Sequence, residues 1–324
     1  MVDFNDLTIL ITGGTGSLGK ALVTRLVETY PVKKVIVFSR DELKQSEMRW
    51  RFDADAEDSK VRFFIGDVRD PDRLRRAFEG VDVVIHAAAM KQVPACEYNP
   101  IEAVNTNVLG AKNVVDAAID AGVHRVLGVS TDKAVNPVNL YGATKLVLEK
   151  LFIHANSYSG NSGPVFSCVR YGNVFGSRGS VVQAWKYQAT RQLVVTDLES
   201  TRFVITLKQA VDFVLNSLDI MTGGEVFVPK LKACSVRELV AAFDEDGIYN
   251  VNISGMRPGE KMHETLISPD ESHITHDIHH CYAIASPFSV LDYGKSNTPD
   301  KFLYRSDLVD RVSQQWLREQ IKTL

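Results

Sequence analysis

The chain has 324 residues, of which 45% are hydrophobic and 24% charged, and its formal net charge is −3. These values are close to those of ordinary globular proteins, so they exclude intrinsic disorder, a collagen-like repeat and a disulfide scaffold. Because the 37 Lys and Arg residues do not outnumber the 40 Asp and Glu residues, no nucleic-acid partner is expected.

Neither the cysteines nor the apolar segments indicate an extracellular or membrane protein. Cys96, Cys168, Cys234 and Cys281 lie far apart and form no CxxC pair, so reduced thiols are predicted. No window reaches the roughly 18 apolar residues of a membrane span, and the first residues carry no basic segment followed by a long apolar run. We therefore expect a cytoplasmic protein with no membrane partner.

The first half of the chain alternates short β-branched segments with segments of helical period, which is typical of βαβ units around a parallel sheet. Asp70 and Asn99 each precede a proline, so both predict helix starts. After residue 170 this alternation weakens, although a helix over 207–221 is still predicted. The predicted strands cover 7–12, 35–38, 61–65, 82–87, 126–129, 165–170 and 225–228.

This order of elements predicts an α/β protein with a Rossmann-type doubly wound parallel sheet and a smaller C-terminal substrate-binding lobe. Residues 1–170 are assigned to the Rossmann domain, with a return segment at about 203–228. Residues 171–202 and 229–324 are assigned to the smaller lobe.

A glycine-rich loop follows the first predicted strand and leads into a helical segment. Its glycines have the spacing GxxGxxG, which permits a tight turn and close approach of the backbone to a pyrophosphate. A strand-to-helix turn without a ligand is the alternative, but the strand before and the helix after favour a dinucleotide. The predicted contacts are Gly13, Thr15, Gly16, Ser17, Leu18 and Gly19.

Ser39, Arg40 and Asp41 follow the second predicted strand, where a Rossmann domain meets the adenosine ribose. An acidic residue at this place favours a 2′-hydroxyl, whereas arginine favours a 2′-phosphate. Because Arg40 comes first and Ser39 is a further donor, NADP is predicted, with a solvated ion pair as the alternative. Further predicted cofactor contacts are Lys44, Asp67, Val68, Ala87, Ala88, Ala89, Asn107 and Tyr171.

Ser130 and Thr131 end the fifth predicted strand, and Tyr141 and Lys145 follow four residues apart. On a helix this spacing places Tyr141 and Lys145 on one face, one turn apart. A phenol with a pKa near 10 needs nearby positive charge to act as a base at neutral pH, and a lysine ammonium and an oxidised nicotinamide supply it. An amphipathic helix that happens to carry both residues is the alternative.

With these motifs the chain resembles the extended short-chain dehydrogenases/reductases, and among them the inverting UDP-N-acetylglucosamine 4,6-dehydratases of pseudaminic acid synthesis. The resemblance covers nearly the whole chain. It rests on the segments TGGTGSLG, SRDELKQSEMR, FFIGDVRD, HAAAMKQVPACEYNP, STDKAVNPVNLYGATK, VRYGNVFGSRGSV, STRFVIT, GGEVFVPK and MRPGEKMHE.

The resemblance implies a role for each residue of the STDK-to-YGATK segment. Tyr141, assisted by Lys145, would take the 4-hydroxyl proton while C4 hydride passes to NADP, and Thr131 would bond to the 4-hydroxyl region. Lys133 would be the base at C5, and Asp132 the acid that helps the 6-hydroxyl leave as water. Tyr141, where retaining relatives often have Met, favours inversion at C5.

The resemblance also implies contacts to the UDP-sugar, for which arginine is well suited because it binds phosphate through paired donors. A homo-oligomer, at least a dimer built on helix pairs beside the sheet, is expected as well. The predicted substrate contacts are Lys91, Asn173, Arg178, Thr201, Arg202, Arg257 and Glu260.

Three alternatives stay open: a retaining UDP-hexose 4,6-dehydratase, a 4-epimerase, and a catalytically silent NADP-binding Rossmann protein. Asp132 and Lys133 argue against an epimerase, which needs no acid and base for C5 and C6. Retention of Tyr141 and Lys145 argues against a silent protein. A histidine-rich segment (His273, His276, His279, His280) is interpreted as a polar surface, and no metal site is predicted.

Overall fold

The computed structural model describes residues 4–52, 56, 58–160, 163–177, 179–187, 190–287, 289 and 292–324. The strands are β1 (Thr8–Thr12), β2 (Lys34–Ser39), β3 (Val61–Ile65), β4 (Val83–His86), β5 (Arg125–Val129), β6 (Val165–Val169), β7 (Asn173–Val174), β8 (Gln192–Val195), β9 (Thr201–Ile205), β10 (Glu225–Pro229), β11 (Lys232–Ser235), β12 (Asn250–Ile253), β13 (Thr265–Ile267), β14 (Thr275–Asp277), β15 (Cys281–Ala285) and β16 (Tyr304–Arg305). The α-helices are α1 (Ser17–Thr29), α2 (Glu42–Arg51), α3 (Pro71–Phe78), α4 (Val93–Tyr98), α5 (Pro100–Val104), α6 (Gly110–Ala121), α7 (Leu140–Ala155), α8 (Val181–Tyr187), α9 (Leu207–Ile220), α10 (Val236–Phe243) and α11 (Gln314–Lys322). A π-helical turn (Asn105–Leu109) joins α5 to α6, and 3-10 turns cover Asp132–Ala134 and Pro269–Ile274.

A nine-stranded sheet in the order β14-β15-β10-β6-β5-β4-β1-β2-β3 forms the centre of the molecule. Its strands from β10 to β3 are parallel, whereas β15 pairs antiparallel with β10 and with β14. The predicted Rossmann-type parallel sheet is thus confirmed.

Helices cover both faces of this sheet, because successive side chains of a strand point to opposite faces. In β1, Ile9 and Ile11 pack with residues of α1 and α9, while Leu10 packs with residues of α3, α6 and α7. All five residues of β1 are buried, as expected of a central strand covered on both sides. The apolar β-branched strands predicted from the sequence therefore form the two-sided core.

The second half of the chain contributes to the central sheet in two places. β10 joins β6, as expected of the segment that returns to the sheet, and α9 packs against α1. β14 and β15, which lie within the range 229–324, extend the same sheet, whereas β9 pairs with β7 and β11 in a separate three-stranded sheet. The division of the chain into two lobes stays a prediction.

A separate apolar cluster lies apart from the core of the central sheet. It joins Trp185 of α8, Leu193 of β8, Leu239 of α10 and Leu317 of α11, all of them nearly or fully buried. β8 and β12 form a parallel pair beside this cluster. Among the described residues, no helix combines the length and the hydropathy that crossing a lipid bilayer requires.

Candidate active site

A cavity of about 790 Å³ lies at the carboxyl ends of β1 to β6, where open α/β sheets bind their ligands. Arg178 lies outside the residues that the structure describes, whereas Asn107 and Thr201 are described but do not line this cavity. The predicted residues that line it are Gly13, Thr15, Gly16, Ser17, Leu18, Gly19, Ser39, Arg40, Asp41, Lys44, Asp67, Val68, Ala87, Ala88, Ala89, Lys91, Thr131, Asp132, Lys133, Tyr141, Lys145, Tyr171, Asn173, Arg202, Arg257 and Glu260.

The glycine loop has no room for side chains at its key positions. Gly13 has a φ of +66°, and a Cβ there would lie 2.9 Å from the backbone of Ala88. A Cβ on Gly19 would lie 2.5 Å from the backbone of Gly14, so α1 starts tightly against the loop. Since α1 begins at Ser17, its first turn lines the same cavity, as pyrophosphate binding at a helix N-terminus requires.

Two cationic side chains, Arg40 and Lys44, line the part of the cavity where the adenosine ribose is predicted to bind. Arg40, whose side chain is 56% exposed, lies 3.4 Å from Asp67. Lys44 pairs with Asp41, whose carboxylate also accepts the Lys44 backbone amide and caps α2. Burial acts to raise the pKa of Asp67, but hydrogen bonds from Arg69 and the charge of Arg40 hold it below its ordinary value. Asp41 is thus already engaged as a helix cap, while Arg40 remains open to solvent.

Asn107 and Thr201, predicted as a cofactor and a substrate contact, have structural partners instead. The Asn107 amide accepts from Met90 N at 2.8 Å and donates to Met90 O and to Thr144 Oγ1 at 2.9 Å. Thr201 Oγ1 lies 2.6 Å from Ser306 Oγ and 2.9 Å from His263 Nδ1. Asn107 therefore joins the segment after β4 to α7, and Thr201 joins β9 to the residues just before β13 and just after β16.

Helix α7 presents Tyr141 and Lys145 to the cavity, as the spacing predicted. Asn139 caps α7 by accepting from Gly142 N at 2.7 Å. A Cβ on Gly142 would overlap the carbonyl oxygen of Lys133, so glycine here lets α7 approach the 3-10 turn Asp132–Ala134. The close approach of the two segments thus depends on glycine at this position.

The pKa values of the two residues move in opposite directions. Burial lowers the pKa of Lys145 to about 8. Burial also raises the pKa of Tyr141 to about 12, although the charge of Lys133 and a hydrogen bond with Thr131 act to lower it. In the protein alone Tyr141 is therefore a neutral phenol, whereas base catalysis needs further positive charge close to its oxygen.

Lys133, whose side chain is 22% exposed, lies between the buried carboxyl groups of Asp132 and Glu264, and the three residues beside Thr131 are here called the lysine cluster. Lys133 Nζ is 3.0 Å from Asp132 Oδ1 and 3.2 Å from Glu264 Oε1. Thr131 Oγ1 donates to Asp132 Oδ1 at 2.9 Å. Asp132 Oδ2 and Glu264 Oε2 are both buried and have no hydrogen-bond partner in the part of the chain described.

The charges of this cluster shift all three pKa values. Burial raises the pKa of Asp132. Burial acts to lower the pKa of Lys133, but the carboxylates of Asp132 and Glu264 raise it well above its ordinary value. Burial acts to raise the pKa of Glu264, but the charges of Lys133 and Arg202 lower it. Lys133 is therefore the most strongly protonated residue of the cluster and Asp132 the next, while Glu264 is ionised.

A second buried ionic group, Glu149, Arg170 and Glu271, lies behind the site and is here called the arginine cluster. Arg170 donates to both Glu149 oxygens, at 3.0 and 2.7 Å, and to both Glu271 oxygens, at 3.1 and 2.9 Å. Its remaining bond goes to Leu266 O, and Ser130 Oγ donates to Glu149 at 2.6 Å. The cluster fixes α7, through Glu149, to the end of β6.

The substrate end of the cavity combines charged and apolar side chains. Arg202 donates to the carbonyl oxygens of Thr201 and Met262, and Arg257 lies 3.9 Å from Glu260. Burial lowers the pKa of Lys91. Sequence reasoning missed several lining residues on the smaller lobe, because nothing in their local pattern separates them from its apolar core: Phe175, Trp185, Val195, Ser235 and Leu239.

Of the histidine-rich segment interpreted as a polar surface, His273, His279 and His280 are exposed, whereas His276 is not. His276 is buried in β14, with its ring 5.1 Å from that of Tyr293. Among the described residues, no group of three or more His, Cys, Asp or Glu side chains is placed to hold a metal ion.

Comparison with known proteins agrees with this geometry. Residues 9–286 match the family model described as polysaccharide biosynthesis protein. A Campylobacter jejuni subsp. jejuni serotype O:23/36 (strain 81-176) protein named UDP-N-acetylglucosamine 4,6-dehydratase (inverting) is 47% identical over 98% of this chain and 96% of its own length.

Two further relatives are informative. A Rickettsia prowazekii (strain Madrid E) protein named UDP-glucose 4-epimerase is 42% identical over 90% of this chain and 86% of its own length. The X-ray structure of Pen from Bacillus thuringiensis has a TM-score of 0.91 and 37% identity, covering 100% of this chain and 99% of that one. The fold of the whole chain is therefore shared with a solved structure.

Proposed function

This chain belongs to the polysaccharide biosynthesis protein family, among the extended short-chain dehydrogenases/reductases, and we propose that it is an inverting UDP-N-acetylglucosamine 4,6-dehydratase, a hydro-lyase. One observation carries the proposal: a single cavity contains the glycine loop, Tyr141 and Lys145, and the adjacent acid and base Asp132 and Lys133. The relative of 47% identity that is named for this reaction supports it.

The cofactor of the proposed reaction is a nicotinamide dinucleotide, and we assign NADP. A Cβ at Gly13 or Gly19 would fill the backbone cradle, which fits a pyrophosphate. Arg40 and Lys44 would face a 2′-phosphate, and Asp41 is occupied by capping α2. Bound NADP would accept hydride from C4, return it to C6 and, while oxidised, add the positive charge that favours a Tyr141 phenolate.

The side chains of the cavity divide the proton transfers among them. Tyr141 takes the proton of the 4-hydroxyl, with Lys145 favouring the phenolate and Thr131 bonding at the same place. Formation of the 4-keto group acidifies C5, from which Lys133 removes the proton. Asp132, whose pKa burial raises, retains the proton that O6 needs to leave as water. Protonation of C5 from the opposite face gives the β-L-arabino 4-keto product.

A 4-epimerase is the second candidate, because a relative with 42% identity is named UDP-glucose 4-epimerase. An epimerase transfers hydride at C4 only, so it needs no acid or base at C5 and C6. Asp132 and Lys133 line the cavity and would then have no task. A retaining dehydratase would use the same residues but return the C5 proton to its original face.

The deciding experiment uses purified protein, UDP-N-acetylglucosamine and deuterated water, followed by proton NMR without added NADP. A 6-deoxy-4-keto product with deuterium at C5 and L-arabino couplings supports the proposal and a tightly held cofactor. The D configuration at C5 indicates the retaining reaction, and a 4-epimer that keeps its 6-hydroxyl indicates the epimerase. No turnover after NADP is added, with UDP-glucose also tried, indicates a silent binder or another substrate.

The same proposal places the product at the first step of a pseudaminic acid-type sugar pathway in the cytoplasm. The four cysteines are free and buried, in keeping with a reducing compartment. We further assign a homo-oligomer, at least a dimer, because Tyr98, Ile101 and Val147 are exposed on the adjacent helices α4, α5 and α7. A monomer in sedimentation at micromolar concentration would contradict this assignment.

A further inference from the structure

Glu264 is the member of the lysine cluster that the sequence analysis did not single out. It is 3% exposed and comes just before β13, and its carboxylate contacts the side chain assigned as the C5 base. One of its oxygens is buried and has no hydrogen-bond partner among the described residues. A buried and half-satisfied carboxylate is costly to keep for stability alone.

The backbone holds Glu264 in place from both sides. Its N–H donates to Ser306 Oγ at 2.9 Å, and Ser306 N donates back to its carbonyl oxygen at 2.9 Å. Ser306 Oγ is itself 2.6 Å from Thr201 Oγ1. These hydrogen bonds fix the backbone of Glu264, so that its carboxylate is held beside Lys133. Thr201, predicted as a substrate contact, takes part in this support through Ser306.

Lys133 can remove a proton from C5 only as a neutral amine, yet two carboxyl groups lie within 3.2 Å of its nitrogen. An ammonium between two carboxyl groups retains its proton unless one of them accepts it. Asp132 must keep its own proton for O6, so Glu264 is left as the acceptor. The other cations that face Glu264 are Arg202, with Nε 3.9 Å away, and Lys261.

We propose that Glu264 is a positioning residue that accepts the Lys133 proton, so that the base at C5 is the Lys133–Glu264 pair. This inference rests on the proposed function. In the first step an N–H bond of the ammonium breaks and an O–H bond forms on Glu264. In the second the C5–H bond breaks, its proton goes to the amine, and its electron pair forms an enolate with O4. The C6–O6 bond then breaks as the pair forms C5=C6, and O6 leaves as water with the Asp132 proton.

A fixed counter-ion is the competing role for Glu264, and it makes the opposite prediction. If Glu264 only held Lys133 in its charged form, its removal would free the amine and accelerate removal of the C5 proton. If Glu264 accepts the proton, its removal leaves the ammonium with no acceptor and slows that step.

The test measures C5 exchange separately from hydride transfer. The probe is the UDP-linked 2-acetamido-4-keto-6-deoxy sugar with the D configuration at C5. Its C5–H bond lies on the same face of the ring as in UDP-N-acetylglucosamine, and the neighbouring 4-keto group already makes this proton acidic. Wild type, Glu264→Gln, Glu264→Asp and the surface control Glu199→Gln are incubated with it in deuterated water, and proton NMR follows loss of the C5 signal. Glu199 is 68% exposed and pairs with Arg237, away from the cavity.

We expect Glu264→Gln to slow C5 exchange by about 100-fold, the usual size of a lost proton-transfer partner, and Glu264→Asp to recover most of that loss. In turnover of UDP-N-acetylglucosamine, kcat falls while KM changes little, and the pH dependence of exchange is altered in Glu264→Gln but not in Glu199→Gln. Urea unfolding serves as the control for folding: an unfolding free energy of Glu264→Gln equal to that of wild type shows that the variant is folded.

Two results would overturn the proposal for Glu264 without affecting the proposed function: C5 exchange in Glu264→Gln at the wild-type rate, or C5 exchange faster than in wild type. In both cases a wild type that converts UDP-N-acetylglucosamine leaves the proposed function standing. A wild type that neither converts UDP-N-acetylglucosamine nor exchanges the C5 proton overturns the proposed function and this inference together.

Discussion

The lysine cluster and the arginine cluster each place two carboxyl groups around one cation, but they differ in how the carboxyl oxygens are satisfied. All four carboxylate oxygens of the arginine cluster accept hydrogen bonds, and its guanidinium also donates to a backbone carbonyl. In the lysine cluster one oxygen of each carboxyl group has no partner among the described residues.

This difference indicates that the arginine cluster stabilises the fold, whereas the lysine cluster is able to take part in proton transfer. Guanidinium is planar and keeps its proton, so it joins two carboxylates through paired bonds and cannot act as a base. A lysine amine is a point charge that can lose a proton, and unpaired carboxyl oxygens beside it can take one. A fully satisfied buried network therefore fixes the fold, whereas a partly satisfied one next to a cavity is available for reaction.

The largest effect is expected from Arg170→Met, which leaves two buried carboxylates without their cation. Removal of one partner from a buried ionic group costs about 3–5 kcal/mol of unfolding free energy. Urea unfolding followed by circular dichroism measures it. Lys133→Met serves as the control and loses less, because Asp132 can remain protonated and the cavity is open. Equal losses in the two variants would contradict the distinction between the clusters.

Lys133→Met is expected to lower the turnover of UDP-N-acetylglucosamine by about 1,000-fold, since the base at C5 is lost. Formation of the 4-keto group does not need this base, so the reduced cofactor should accumulate and absorb at 340 nm. Stopped-flow absorbance and product NMR measure the two steps separately. Product formation at the wild-type rate would remove Lys133 from the reaction.

A matched pair of carboxyl-to-amide variants sharpens the comparison. Glu149→Gln is expected to lower the unfolding free energy by about 2 kcal/mol, because hydrogen bonds to a charged group are lost. Asp132→Asn replaces a carboxyl group that retains its proton, so its unfolding free energy should stay within about 1 kcal/mol of wild type while its turnover is lost. Urea unfolding of the two variants at pH 7 tests the contrast, and the reverse order of losses would refute it.

The smallest effect is expected in the pH dependence of stability. Burial acts to raise the pKa of Glu271, but Arg170 lowers it overall, so this group stabilises the fold above its unfolded pKa and the contribution is lost as the pH falls. Asp132 has a raised pKa, so its contribution is present at low pH and lost as the pH rises through its folded value.

Urea unfolding between pH 4 and pH 8 measures both contributions. In Glu271→Gln the fall of stability towards pH 4 should be shallower than in wild type. In Asp132→Asn the fall of stability towards neutral pH should be shallower instead. Identical pH profiles for the two variants would show that the clusters titrate alike.

Much of the site was predictable because it depends on short segments of chain. Gly13, Gly16 and Gly19 mark a loop whose geometry follows from three to six residues, and Tyr141 and Lys145 share a helix face because four residues make one turn. Asn107 shows the limit of such reasoning, because its amide bonds to Met90 and Thr144 rather than lining the cavity. A lone asparagine carries no local signal of which partner it takes.

The sequence by itself determined the parallel sheet, the glycine loop, the helix that carries Tyr141 and the adjacent pair Asp132 and Lys133. The first three follow from backbone periodicity or from neighbours within one turn, whereas the roles of Asp132 and Lys133 were implied by the resemblance to a known family. Only the tertiary structure decided that Glu264 contacts Lys133 and that Arg170 binds Glu271, 101 residues further along the chain. Buried charges choose partners by proximity in the folded state, and the long connections that bring those partners together leave no periodic trace in the sequence.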